Sequence, residues 1–398
     1  MIIRKFKVNG FKSLLQTTPI ELGRVNCFIG ANGVGKSNVL EALGVLSAAA
    51  NGVVNDESLT HRGVRAGLPR LYKSSFMSED TPPHIGLDTE SDNGASYRVS
   101  LLNPLETPEP SWSYKTEFLT DGQEGIISQG VRSSHVNLDP AKGLAALKMV
   151  ELSPENAAAN LMKTLQNYAI YCPNTPVLRG TSPDQQSRRP VGLSGGQLAY
   201  GFESLHKHLA TKGDDGESLL DSVLDLIDWV ADIEVTSQAG HLLSPTVPRT
   251  RNVIKFTDRF MKKSRNELTA YDASEGALYV LFTALLCLLP DAPKVFAIDN
   301  LDQALNPRLL ARMVRNLSGW LQASGENRQI LFTAHNPAVL DGLDLTDPEI
   351  RLFAVERNNY GLTQIRRIEL SETLRSQNHD YPLSRLWIMG HLGAVPNV

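Results

Sequence analysis

The chain has 398 residues, 41% of them hydrophobic and 21% charged, with a formal net charge of −4. That length allows one large domain or two ordinary ones, and the composition excludes a disordered or fibrous chain. The charge balance excludes bulk attraction to nucleic acid, so any such contact needs a local patch.

In chain order, Ile2, Phe6 and Val8 predict a first strand, and Phe11-Lys12-Ser13 a turn. Val25 to Ile29 is a short apolar run of buried-strand type. A glycine-rich loop follows, then a helix from Lys36 to Ala50 with Val39, Leu40, Leu43 and Leu46 on one face. Residues 84–120 contain strand-like pieces at 97–102 and 113–119, split by Asn, Gly and Pro, which predicts hairpins. Residues 121–150 read as a mobile loop, 154–171 and 215–231 as helices, and 173–192 as a proline-bearing linker. From 252 to 261 alternation predicts a strand with Ile254, Phe256 and Phe260 on one face. An apolar helix at 275–289, strand 294–299, helix 304–322, strand 329–333 and helix 336–341 follow. This alternation predicts an α/β fold with parallel strands in its core.

The three cysteines, Cys27, Cys172 and Cys287, lie far apart, which speaks against a zinc or disulfide framework and for a reducing, cytoplasmic setting. The N-terminus has no signal-peptide core, and the longest apolar run, 276–289, is too short for a bilayer, so no membrane contact is expected.

Gly30-Ala31-Asn32-Gly33-Val34-Gly35-Lys36-Ser37 has the spacing GxxxxGKS, directly after an apolar strand and before a helix. Glycines let backbone N–H groups close around phosphate oxygens. Lys36 adds a charge, Ser37 offers a hydroxyl to Mg²⁺, and the helix adds its positive end. An ordinary glycine turn is the bland alternative, and the agreement of strand, loop and helix disfavours it. Val295-Phe296-Ala297-Ile298-Asp299 is an apolar strand ending in a carboxylate, the Walker B arrangement, in which Asp299 faces Mg²⁺. Leu331-Phe332-Thr333-Ala334-His335 ends another strand in a titratable residue.

With the strings "FKSL", "FIGANGVGKSNVLEAL", "SEGALYVL", "KVFAIDNLDQALNP" and "LFTAHNPAVL" in this order, the chain resembles the ABC-type ATPases of the SMC/RecF/OLD group. Many of these are stand-alone ATPases of bacterial anti-phage systems. The resemblance covers residues 1–50 and 265–370 and is specific for fold more than for role. It implies an ABC-ATPase head with a mixed sheet, its core split between 1–83 and 250–398. Residues 84–120 would be a hairpin part of the nucleotide lobe, and 121–249 an inserted helical and irregular lobe. It implies ATP and Mg²⁺ as ligands, with Asn32 and Asn38 at common positions around the phosphate loop and His335 as the switch histidine. Ser274-Glu275-Gly276 matches the group's short signature, which in an ATP-bound head-to-tail dimer contacts the γ-phosphate held by the other subunit. Leu301-Asp302 would lie in the loop crossing that interface. Leu193-Ser194-Gly195-Gly196-Gln197 spells a transporter-type signature, but it stands far ahead of Asp299. A signature helix should lead quickly into the Walker B strand, so Ser274-Glu275-Gly276 is preferred.

One departure matters. Where the group usually places a glutamate after the Walker B aspartate, this chain has Asn300. An amide cannot take a proton from water near neutral pH, so slow hydrolysis and a long-lived ATP-bound dimer are expected, unless Asp302 substitutes. Arg249, Arg251, Lys255, Arg259, Lys263 and Arg265, with Lys262, form a basic face that could meet DNA, and Arg62, Arg65, Arg70 and Lys73 a second basic segment. A solvated sheet face, or a wall beside the nucleotide, is the preferred alternative. No acidic DxD cluster or HNH-type constellation marks a fused nuclease. A separate effector, such as a nuclease, is therefore expected, with Trp387 and Ile388 either docking it or packing on the core. Against an anti-phage regulator stand a RecF/SMC-type repair ATPase, which the lack of sustained heptads in 154–231 disfavours, and a non-hydrolysing scaffold, which Asn300 favours.

Overall fold

A computed structural model describes residues 1–127, 139–237, 242–244, 247, 252–372, 374 and 381–394. Its centre is a sheet in which the strand Val25–Ile29 lies between Ile350–Arg357 and Gln329–Ala334, all parallel. Val295–Ile298 and then Ile170–Tyr171 extend the parallel run on one side, and Thr363–Ile368 closes the other edge antiparallel. These strands are short, apolar and buried on both faces, as parallel strands are.

Strand alternation divides the core in two. Val25, Cys27, Ile29, Phe296, Ile298, Ile330 and Phe332 face one layer, which holds the helix Glu275–Leu288. Phe28, Val295, Ala297, Leu331 and Phe353 face the other, which holds the helix Lys36–Ala50. That helix is buried from Val39 to Ala50 because a second, antiparallel sheet covers its far side. The second sheet runs from Leu14–Gln16 through Ile3–Phe11, Ile85–Ser91, Ser96–Leu102 and Ser113–Thr120 to Gly125–Ile127. A third sheet pairs Val230–Thr236, Val253–Asp258 and Glu267–Thr269. No helix of the described residues is long and apolar enough to cross a membrane.

Four readings of the sequence need correction. The stretch 154–171 is not one helix: Ala157–Gln166 ends at Asn167, and Ile170–Tyr171 joins the central sheet beside Val295–Ile298. The span 121–249 is therefore no separate insertion, since it supplies an edge strand of the core. The strand expected to run to Met261 stops at Asp258, whose Oδ1 accepts from the N–H groups of Phe260 and Met261 at 2.7 and 2.9 Å. This turn leaves Phe260 exposed instead of on the strand's apolar face. Of the loop expected at 121–150, residues 128–138 lie outside the described residues, while Gly125–Ile127 is a strand and Leu144–Lys148 a short helix.

Candidate nucleotide site

Strand order brings the chemistry together. Val25–Ile29, Gln329–Ala334 and Val295–Ile298 are parallel neighbours, so the residues just past their C-terminal ends, Gly30, His335 and Asp299, meet at one rim. Ligand crevices of open α/β sheets form outside those ends.

The loop 30–37 turns through left-handed glycines. Gly33 and Gly35 have φ of 77° and 110°, a region costly for side chains. A Cβ on Gly35 would also lie 2.4 Å from Thr363 Oγ1. Below the loop, Asn38 Nδ2 donates to Ser13 Oγ at 2.7 Å, and Thr363 Oγ1 lies 2.6 Å from both Ser13 Oγ and Val34 O. These hydroxyls tie the loop to the edge strand Thr363–Ile368 and to the turn after the first strand. Ser13 stood within the motif strings, whereas nothing local to Thr363 signalled its part.

Lys36, 5% exposed, donates to Gly30 O and Ala31 O at 2.7 and 2.9 Å. Burial pulls its pKa down to about 8, with Asp299 and Asp302 opposing. Ser37 Oγ donates to Asp299 Oδ1 at 2.9 Å, and Thr333 Oγ1 donates to the same oxygen at 2.6 Å. Thr333 also accepts from Asn300 N at 2.8 Å, a support the sequence did not reveal. His335 bridges the halves: Nδ1 lies 3.3 Å from Lys36 Nζ and Nε2 lies 3.1 Å from Asn300 Oδ1. One neutral tautomer satisfies both contacts, with Nδ1 accepting from the ammonium and Nε2–H donating to the amide oxygen. Burial, then Lys36, hold His335 below the usual histidine range, which favours that neutral form.

Asp302 uses its two oxygens differently: Oδ1 is buried without a hydrogen-bond partner among the described residues. Its Oδ2 accepts from His335 N at 3.0 Å and Asn336 N at 2.7 Å, bracing the turn after the strand Gln329–Ala334. Ser274-Glu275-Gly276 do not reach the phosphate loop of the same chain. Ser274 caps the helix Glu275–Leu288 by accepting from Ala277 N, and the three line a separate cleft of about 820 Å³ with Asn306 and Arg308. At 193–197 the N–H groups of Ser194 and Gly196 both donate to Asp184 Oδ2 at 3.0 Å, so a carboxylate of the same chain already fills that turn.

The basic segments are partly engaged within the chain, while Arg65, Arg70 and Arg259 stay exposed. Arg249 and Arg251 lie outside the described residues. Lys255 pairs with Glu234 and Glu267 across its sheet, and Arg259 Nη2 donates to Val230 O. Arg62 is buried on Ser47 Oγ and main-chain carbonyls, and Arg65 pairs with Glu41 at 2.6 Å. Trp387 packs into the core, while Ile388 beside it stays 65% exposed. Both line a cleft of about 330 Å³ with Gly30, Ala31, Asn32, His335 and Pro337.

Residues 1–69 match the family described as "AAA ATPase domain", and residues 199–341 that described as "AAA domain, putative AbiEii toxin, Type IV TA system". A 58-residue stretch is 40% identical to the DNA replication and repair protein RecF of Parabacteroides distasonis, covering 15% of this chain and 16% of that protein. The chain thus matches about a sixth of that relative's length. Among solved structures, an Smc head bound to the C-winged helix domain of ScpA aligns with a TM-score of 0.58 at 13% identity, over 94% of this chain and 100% of that one. The Pyrococcus furiosus Smc head with an extended coiled coil, bound to the C-terminal domain of ScpA, aligns with a TM-score of 0.53 at 11% identity, over 95% and 99%. The fold is that of an SMC head. The matched stretches are thus similar to AAA-type ATPase domains and to RecF.

Proposed function

We propose that the chain binds Mg-ATP at residues 30–38, hydrolyses it slowly, and uses an ATP-dependent head-to-tail dimer to regulate a separate effector. The observation that carries the nucleotide reading is the 2.9 Å contact between Ser37 and Asp299 beside the buried Lys36. These are the oxygen donors and the cation that a Mg²⁺-triphosphate needs. Among the described residues no cluster of three or more His, Cys, Asp or Glu could hold a metal. Mg²⁺ here would share Ser37 and Asp299 with waters and phosphate oxygens, and would supply charge neutralisation. The glycine loop wraps the phosphates with N–H groups, and Lys36 adds its positive charge. Asn32, at the exposed loop tip, and Asn38, held by Ser13, flank them.

Slow turnover follows from Asn300. Its amide can orient a water but cannot deprotonate it. His335 is engaged on both ring nitrogens. Asp302 positions His335 through Oδ2, which accepts from two main-chain amides, while its Oδ1 is buried without a partner among the described residues and is the carboxylate oxygen left to compete with Asn300 for the base's role. The group's signature logic assigns Ser274, Glu275 and Gly276 to the other subunit's γ-phosphate, which agrees with their distance from the loop of their own chain.

An anti-phage effector, such as a nuclease, follows from the resemblance alone. The RecF match supports a second reading, a DNA-repair ATPase. Mass measurement of the full chain with and without Mg-ATP tests the dimer. A doubled mass with ATP, abolished by Ser274→Arg, supports it, and an unchanged mass at saturating ATP refutes it. Co-purification with the products of neighbouring genes separates the two roles: a nuclease or toxin retained with ATP supports defence, and recombination proteins support repair.

A further inference from the structure

The rim opposite the phosphate loop carries a second polar cleft, of about 300 Å³. Lys294 and Arg328, which line it, stand immediately before the strands Val295–Ile298 and Gln329–Ala334. Asp299 and His335 end the same strands. At about 3.3 Å per residue the cleft is therefore roughly 17–23 Å from the nucleotide site.

Arg328 is 0% exposed. Its Nη1 donates to Cys287 O at 2.9 Å, but Nε and Nη2 are buried with no partner. Among the described residues no carboxylate forms an ion pair with it. The hydroxyl of Tyr171, within reach of Arg328's charge, is likewise buried and unpartnered. A buried cation with its donor fork unfilled is costly unless something negative meets it. Water would satisfy the N–H groups but not the charge.

The cleft's other walls agree. Arg188 donates to the main-chain oxygens of His61, Tyr168 and Asn167, all neutral acceptors, so its charge is not cancelled. Lys163 and Arg189 add positive charge, with no ion pair among the described residues. Of the acids lining the cleft, Glu326 is paired with Lys294 at 2.8 Å, which leaves Asp291.

We propose that this cleft is a second anion site that takes the phosphate group of a small molecule. Lys163 and Arg189 bind the phosphate oxygens from the outer side, and the uncancelled charge of the buried Arg328 attracts the anion from behind the cleft wall. The volume is at the small end of ligand sites, enough for a phosphomonoester. Because Cys287 lies in the last turn of the helix that Ser274 opens, the site also touches the far end of the signature helix.

The test uses the full chain carrying Lys36→Ala, so that the phosphate loop does not compete. Calorimetric titrations with inorganic phosphate, ribose 5-phosphate and acetate are compared at constant ionic strength. The proposal predicts saturable binding of one phosphate or one ribose 5-phosphate per chain, the tighter of the two identifying the source. Acetate should give none. Lys163→Glu with Arg189→Glu, both at the surface, should weaken binding at least tenfold, and Arg328→Met should also weaken it. If Arg328→Met fails to fold, the surface pair decides. No saturable phosphate heat, phosphate binding unchanged in the surface pair, or acetate binding as tightly as phosphate would each overturn the proposal. None of these results bears on ATP binding at the opposite rim.

Discussion

Replacing Asn300 by glutamate should speed ATP hydrolysis. The side chain at this position reaches His335, with Asn300 Oδ1 3.1 Å from Nε2, at the rim where Asp299 and Lys36 also converge. A carboxylate there gains what the amide lacks, the capacity to take a proton from the attacking water. A positioned general base contributes about 10²–10⁴-fold, which is roughly 2.7–5.4 kcal/mol of barrier. The change has a cost. Asn300 has a φ of 58°, a left-handed conformation that asparagine tolerates better than glutamate. Asn300→Glu should therefore lose roughly 1 kcal/mol of folding stability, read as a small drop in Tm. The assay is phosphate release by the full chain at saturating Mg-ATP, with ATP affinity measured in parallel. A rise of tenfold or more at unchanged affinity is expected. If the variant binds ATP as the natural chain does and turns over no faster, Asn300 does not limit the rate. A natural chain already hydrolysing at about 1 s⁻¹ or faster would refute the slow-switch reasoning outright.

Other consequences follow from the same geometry. Asp302→Ala should cost roughly 2–3 kcal/mol in urea unfolding, because two main-chain amides lose a charged acceptor, with turnover falling only in step with His335's misplacement; normal stability with abolished turnover would make Asp302 catalytic instead. The free site's Lys36, lowered to about 8 by burial, is a cation below that pH and neutral above it. Mg-ATP affinity should thus be level below pH 8 and fall as pH rises through it, while Lys36→Arg removes the break; a flat profile to pH 9.5 contradicts this. Thr363→Val removes the hydroxyl beneath Val34 and Ser13 and should weaken ATP binding about three- to tenfold, the value of roughly one hydrogen bond, with the fold intact by circular dichroism. For His335, whose folded-state pKa is depressed, the unfolded chain binds more protons just below pH 6.5. Stability should therefore decline as pH falls from 6.5 toward the lower native value, and His335→Gln should flatten that slope.

The fold and much of the candidate site were legible because their signals are local. An apolar run, a glycine loop and a helix are contiguous at 25–50, and Asp299 and His335 each end a strand that reads as one. Parallel packing then aligns the strand ends without further information. What stayed hidden depends on contacts between distant segments. Thr363 braces a loop more than three hundred residues earlier. The alternation at 253–258 correctly gave a strand, yet the carboxylates of Glu234 and Glu267 that neutralise Lys255 come from its neighbours in the sheet. Ile170–Tyr171 is too short to break a helical reading, and only pairing with Ala297 and Ile298 reveals it as a strand. Arg328 stands before a strand like any surface arginine, and its complete burial comes from packing alone.

The account's central claim is that the loop from Gly30 to Ser37, with Lys36, holds the phosphates of ATP. Calorimetry of the full chain with Mg-ATP tests it most directly. The prediction is one ATP per chain, with Lys36→Ala weakening binding at least tenfold and leaving the thermal unfolding profile intact. No binding heat at saturating Mg-ATP, or equal binding by the natural chain and Lys36→Ala, would contradict it.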